Sequence, residues 1–243
     1  MPMSRREALG AIAAGTVATM ILPATAALAQ DAPKPDAPRK VEPGKHDVAP
    51  LPFDPSKLAG ISEKMIRSHH EKNYSGAVKN LNKLEEQLAT INKDTPGFLV
   101  AGLKERELTF TNSIILHEKY FANLGGDGKA SGNIKSAIEV AFGSYERWEE
   151  IFRATGMSLA GGSGWTVLGF NNHTGDLRVY WAGGHSNALA FGEPLLIMDM
   201  FEHAYQMDYG AAATSYVDAF FNNIQWDEVN RRYESAMKAA KAR

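Results

Sequence analysis

The sequence predicts an α+β fold in which a pair of antiparallel helices precedes a small antiparallel sheet set among further helices. Three observations predict it. Two long stretches in the first half, separated by a short break, carry apolar residues at every third or fourth position. In the second half, "GWTVLGFN" and "LRVYWAG" flank the turn "NHTGD", which is the pattern of a β-hairpin. Finally, "EPLLIMDM" is a short, almost wholly apolar run that ends at Asp199, as a buried strand would.

The chain opens on a segment that does not belong to this fold. Arg5-Arg6 precede an apolar stretch from Ala8 to Leu22, and Ala27-Leu28-Ala29 offers an A-x-A cleavage site. Residues 1–29 therefore read as an export signal. Ser4-Arg5-Arg6 resembles a bacterial twin-arginine leader, which implies a periplasmic or secreted protein. The stretch is too short and too rich in Ala and Gly for a membrane anchor, so no membrane attachment is expected after cleavage. Seven of the eleven prolines lie between Pro33 and Pro55. Proline denies the chain helix and central strand, so residues 30–47 read as an extended linker.

Composition narrows the chemistry. The chain has 243 residues, 44% of them hydrophobic, and a formal net charge of −2. The length can bury a sizeable core, and the charge balance does not favour nucleic acid. With no cysteine and seven histidines, any metal must be held by imidazole, carboxylate or backbone oxygen. Such donors suit iron, manganese, zinc or copper.

The first helix is capped by Ser62, and Ile66, His69, Asn73, Ala77, Leu81, Leu84 and Leu88 form its apolar stripe. His69 lies within that stripe, while His70 is rotated toward the surface. The second helix begins near Pro96, carries Val100, Leu103, Phe110, Ile114, His117 and Phe121 on one face, and ends at Gly125-Gly126. A short connection makes the two an antiparallel hairpin. One buried histidine is usually a core residue bonded to a carbonyl. Two of them on facing helices suggest a shared cation. Beyond the hairpin, "GNIKSAIEVAF" and "SYERWEEIFRATGMSLA" read as helices, and the stretch from Thr214 to the end reads as a closing helix.

His69, His117, Asp199 and His203 together make a donor set of three imidazoles and one carboxylate. At these residues the sequence resembles the iron/manganese superoxide dismutase family. "DMFEHAYQMDY" is similar to the family's Asp-x-Trp-Glu-His-Ala-Tyr ligand motif. "ISEKMIRSHHEKNYSGAVKNLN" and "SIILHEKYF" resemble the segments that carry the first two ligands. "GGSGWTVL" and "PLPFDP" resemble its strand entry and its opening. The resemblance spans roughly residues 48–235 in one colinear order.

It implies an N-terminal helical hairpin domain over 48–128 and a C-terminal α/β domain with a small antiparallel sheet over 129–243. It also implies one iron or manganese ion per chain, held by His69, His117, Asp199 and His203, with superoxide as substrate. In the family the glutamate at the position of Glu202 bridges to the ligand histidine of a second subunit. A homodimer through Glu202 and His203 is therefore expected.

Several positions depart from the family pattern. Asn73 stands where the family has a second histidine, and Ala77 where it has a gateway tyrosine. Phe201 replaces the motif tryptophan, and Gln206 the second tyrosine. The glutamine that bonds the water on the metal is absent from its two usual places. One is Ser113. The other lies in the loop "AGGHSNAL", where His185 stands, as it does in some members. Its imidazole can donate the hydrogen bond that the amide would. The reading is an exported superoxide dismutase. Its alternative is a dismutase-like metal-binding protein of little activity. A zinc hydrolase would also suit the donors, but it lacks a free general base nearby.

Overall fold

In the computed structural model, which describes residues 42–187 and 189–242, Ser62 begins the first helix as expected. Its hydroxyl oxygen accepts from the Met65 N–H at 3.1 Å, satisfying a donor that the first turn leaves unpaired. The export signal and the linker up to residue 41 lie outside the described residues.

Helix α1 spans Glu63–Ser68, passes into a π-helical turn at His69–Tyr74 and continues as α2, Ser75–Leu88. The expected uninterrupted α-helix is thus widened where it carries its histidine, and such turns recur at functional sites. The wider turn also shifts which positions face inward. Tyr74 and Val78 join Ile66, His69, Ala77, Leu81 and Leu84 in the interior, while Asn73 and Leu88 are only half-buried. His70 is not a free surface residue either. It is half-buried, with ring Nε2 2.8 Å from the Ala49 carbonyl.

Helix α3, Gly97–Ala122, packs along α2 and completes the hairpin. Its inward face presents Ser113, Ile114, His117, Tyr120 and Phe121. The segment before α1 lies against the hairpin. The Gly44 N–H donates to Glu85 at 2.9 Å, and His46 exchanges two bonds with the Asn82 amide. After α3 the chain turns sharply at Gly126, where an added Cβ would stand 2.2 Å from the Ile224 carbonyl oxygen. Only glycine permits that approach.

Helices α4 (Gly132–Phe142) and α5 (Tyr145–Met157) follow, then strands β1 (Trp165–Asn171), β2 (Leu177–Ala182) and β3 (Gly192–Asp199). The sheet is antiparallel in the order β2-β1-β3. Gly164 enters β1 with φ +146°, and a side chain there would strike the Ala182 carbonyl at 2.4 Å. Trp165 pairs with Asp199 across β1 and β3, so the indole starts beside the carboxylate.

A 3₁₀ turn at Glu202–Ala204 and a short helix α6 (Gln206–Tyr209) come next. The closing helix is in fact two, α7 (Ala213–Asn222) and α8 (Trp226–Lys241). The break has a specific cause. Asn223 bonds both the N–H and the carbonyl of Ala59 at 2.8 Å, and its own carbonyl accepts from the Gly126 N–H at 3.0 Å. Tertiary partners thus replace the next helical turn.

Candidate metal centre

Four elements deliver one side chain each to a single point. His69 opens the π turn, His117 comes from α3, Asp199 ends β3, and His203 sits in the 3₁₀ turn. One donor atom from each lies within 4.8 Å of all the others. The Asp199 Oδ2 atom is 3.1 Å from His69 Nε2, 3.4 Å from His203 Nε2 and 3.7 Å from His117 Nε2. Two donors each about 2.1 Å from one ion stand about 3.0 Å apart at a right angle and about 3.6 Å apart at 120°. The observed spacing fits that geometry.

The chemistry of the donors fits as well. His69, His117 and Asp199 are buried, and His203 keeps 26% of its side-chain exposure. All four facing atoms lack a hydrogen-bond partner among the described residues. Leaving such an atom buried and unpaired costs about 1–3 kcal/mol, and a cation among them would satisfy all four together.

The remaining atoms of two of these side chains are committed elsewhere. The His117 Nδ1–H donates to the Ser113 carbonyl at 2.6 Å, which leaves the Nε2 lone pair facing the site. The Asp199 Oδ1 atom accepts from the Phe201 N–H at 2.8 Å, which turns Oδ2 inward. The Tyr216 hydroxyl donates to the Asp199 backbone carbonyl at 2.8 Å and holds the end of β3 in place.

The electrostatics keep His69, His117 and Asp199 in their ligating forms. Burial, then the neighbouring His69, pushes the His117 pKa down to about 3. Burial also lowers His69, against the opposing pull of Asp199. For Asp199, burial works to raise the pKa, but the attraction of the neighbouring His203 and His69 outweighs it and holds the carboxyl well below its usual range. Neutral imidazoles and an ionised carboxylate are the forms that bind metal.

His185 stands at the rim of this cluster. Its ring centroid is 5.9 Å from that of His117, and it stacks on Phe201 at 4.5 Å. The Trp165 indole donates to His185 Nδ1 at 3.0 Å. In the neutral ring the proton therefore resides on Nε2, which makes that atom a donor. Burial lowers the His185 pKa and favours the neutral ring.

Glu202, by contrast, is exposed, and its carboxylate forms no hydrogen bond among the described residues. Of the departing positions, Ala77 and Ser113 are buried, Asn73 and Phe201 half-buried, and Gln206 exposed. Phe201 stacks between His185 and His203, with the latter ring at 5.3 Å. Sequence reasoning missed the Ser113 carbonyl, the Tyr216 hydroxyl and the Trp165–His185 bond. The adjacency of Trp165 to Asp199 could have been inferred from strand pairing.

The profile described as "Iron/manganese superoxide dismutases, alpha-hairpin domain" matches residues 45–125, and the profile of the same family's C-terminal domain matches 130–232. A "Superoxide dismutase [Fe]" of Cupriavidus metallidurans is 49% identical over 194 residues, covering 79% of this chain and 98% of the relative. A "Superoxide dismutase [Fe]" of Aquifex pyrophilus is 36% identical, covering 84% of this chain and 95% of the relative. A "Superoxide dismutase [Mn] 1" of Halobacterium salinarum is 34% identical, covering 79% and 96%. Relatives of both metals align along nearly their whole length, and the chain belongs to the iron/manganese superoxide dismutase family.

Proposed function

We propose that the chain is exported and disproportionates superoxide to O₂ and H₂O₂ at one iron or manganese ion held by His69, His117, Asp199 and His203. The carrying observation is the convergence of four unpartnered donor atoms within 4.8 Å in the interior. Bound there, the metal supplies a one-electron couple, so that two superoxides and two protons yield one O₂ and one H₂O₂.

The chain's own groups set the conditions. Asp199 brings the negative charge that offsets a cation in a dry site. The Ser113 carbonyl and the Phe201 N–H fix the orientation of His117 and Asp199 through their outer atoms. His185 holds a proton at Nε2 and offers it as a hydrogen bond to a water in the site. His185→Ala should keep its metal, because no ligand is lost. Turnover should fall by about 10- to 100-fold, because the water loses its partner. Unchanged turnover in that variant would place His185 outside the mechanism.

Two further features belong to this reading. Glu202, exposed beside the partly exposed His203, would accept a hydrogen bond from the partner's His203 in a homodimer. The leader at 1–29 would be removed, and the mature chain would begin at Gln30. N-terminal sequencing of periplasmic material tests this, and an intact Met1 or a purely cytoplasmic pool would count against it.

A second reading, a dismutase-like metal binder of low turnover, rests on Ala77 and Asn73. Ala77 has no proton to relay. Superoxide decay on metal-loaded protein separates the two readings.

A further inference from the structure

Unlike the four donor residues, His185 is carried by a loop, and that loop contains Gly183 and Gly184. Glycines make such a loop conformationally permissive. A hydrogen bond offered from it is worth little unless the backbone is held, since misplacement by about 1 Å can cost a large factor in rate.

Contacts at the ring and at the backbone hold it. At the ring, the Trp165 indole donates to Nδ1 at 3.0 Å, and Phe201 stacks at 4.5 Å with an interplanar angle of 12°. At the backbone, the Asn112 side-chain amide donates to the His185 carbonyl at 2.8 Å. Asn112 lies on α3, five positions before His117, so the same rigid helix carries a ligand and the anchor of the loop. Nothing in the sequence pattern marks Asn112, because 73 positions separate the two partners.

We propose that Asn112 is a positioning residue for the dismutase site: its amide ties the His185 loop to α3 and thereby sets where the His185 Nε2–H points. Asn112 is not one of the four donor residues and acts through His185. Trp165 fixes the tautomer of the ring, and Asn112 fixes its place. The proposal rests on the reading of His185 as the donor to a water in the site.

The test uses the metal-loaded full-length protein and its Asn112→Leu, His185→Ala and double variants. Leucine keeps the branching and the number of side-chain heavy atoms of Asn112 and removes the bond. Metal content should be unchanged in Asn112→Leu. Amide hydrogen exchange over residues 183–187 should rise several-fold, and the midpoint potential should move in the same direction as in His185→Ala, by a smaller amount. Asn112→Gln, which keeps an amide donor, should recover part of both effects. In the double variant the loop should still exchange faster, but the potential should equal that of His185→Ala alone.

Equal potential shifts from Asn112→Leu with and without His185 would overturn the proposal, since Asn112 would then act on the site by another route. Unchanged exchange and potential in Asn112→Leu would overturn it as well. If His185→Ala leaves the potential untouched, the reading of His185 itself fails. The exchange data would still report whether Asn112 anchors the loop.

Discussion

Acidification should destabilise the metal-free chain through His117. Burial and the adjacent His69 hold this imidazole at a pKa of about 3 against the ordinary 6.5. Between those values the folded chain binds fewer protons than the unfolded one, so protons favour unfolding. The contribution of His117 is fully present above about pH 6.5 and is lost progressively as the pH falls toward 3. At pH 5 the protonation terms of the two states differ by about 30-fold, which is about 2 kcal/mol relative to pH 7.5. His69, also lowered by burial, acts in the same direction. The lowered Asp199 adds to the trend only below about pH 4, near the ordinary carboxylate value. The assay is urea unfolding in the presence of chelator at pH 7.5, 6 and 5, for the wild type and for His117→Gln. The wild type should lose about 2 kcal/mol more than the variant over this range. Equal losses in the two proteins, or a wild type that gains stability in acid, would refute the reasoning.

Other expectations concern the scaffold and the assembly. In Gly126→Ala the new methyl would meet backbone at 2.2 Å (Ile224 O) and 2.5 Å (Gln225 Cα). Neither atom can swing aside, so urea unfolding should show a loss of about 2 kcal/mol or more. Glu202→Ala should weaken self-association and metal retention together, read by sedimentation and elemental analysis. A wild type that sediments as a monomer at micromolar concentration would remove the bridge from the account.

The candidate ligands were legible because they break an expectation. His69 and His117 occupy apolar stripes of helices, and Asp199 ends an apolar strand, so each is an ionisable group where burial is predicted. The hairpin and the three strands were legible from periodicity and turn residues, since both are local properties of the chain. What escaped is non-local or carried by the backbone. The π turn at His69–Tyr74 is a slip in hydrogen bonding that a spacing of three or four cannot distinguish from an α-helix. The break at Asn223 depends on Ala59, 164 positions away. The Ser113 carbonyl that orients His117 belongs to the main chain, and no side chain at that position would announce it. Here a residue that reads as the loss of a family glutamine still contributes through its backbone. His185 was placed near the site by its loop, but the tautomer that makes it a donor became visible only with the Trp165 indole beside Nδ1.

The central claim is that superoxide is consumed at the ion held by the His69, His117, Asp199 and His203 cluster. The most direct measurement follows superoxide decay by stopped flow on samples graded in metal content, with iron and manganese per chain determined on the same samples. The account predicts a catalytic rate that rises in proportion to iron or manganese occupancy, reaches its limit at one ion per chain and vanishes when the ion is removed. A fully loaded protein that consumes superoxide no faster than buffer, or a rate indifferent to occupancy, would contradict it.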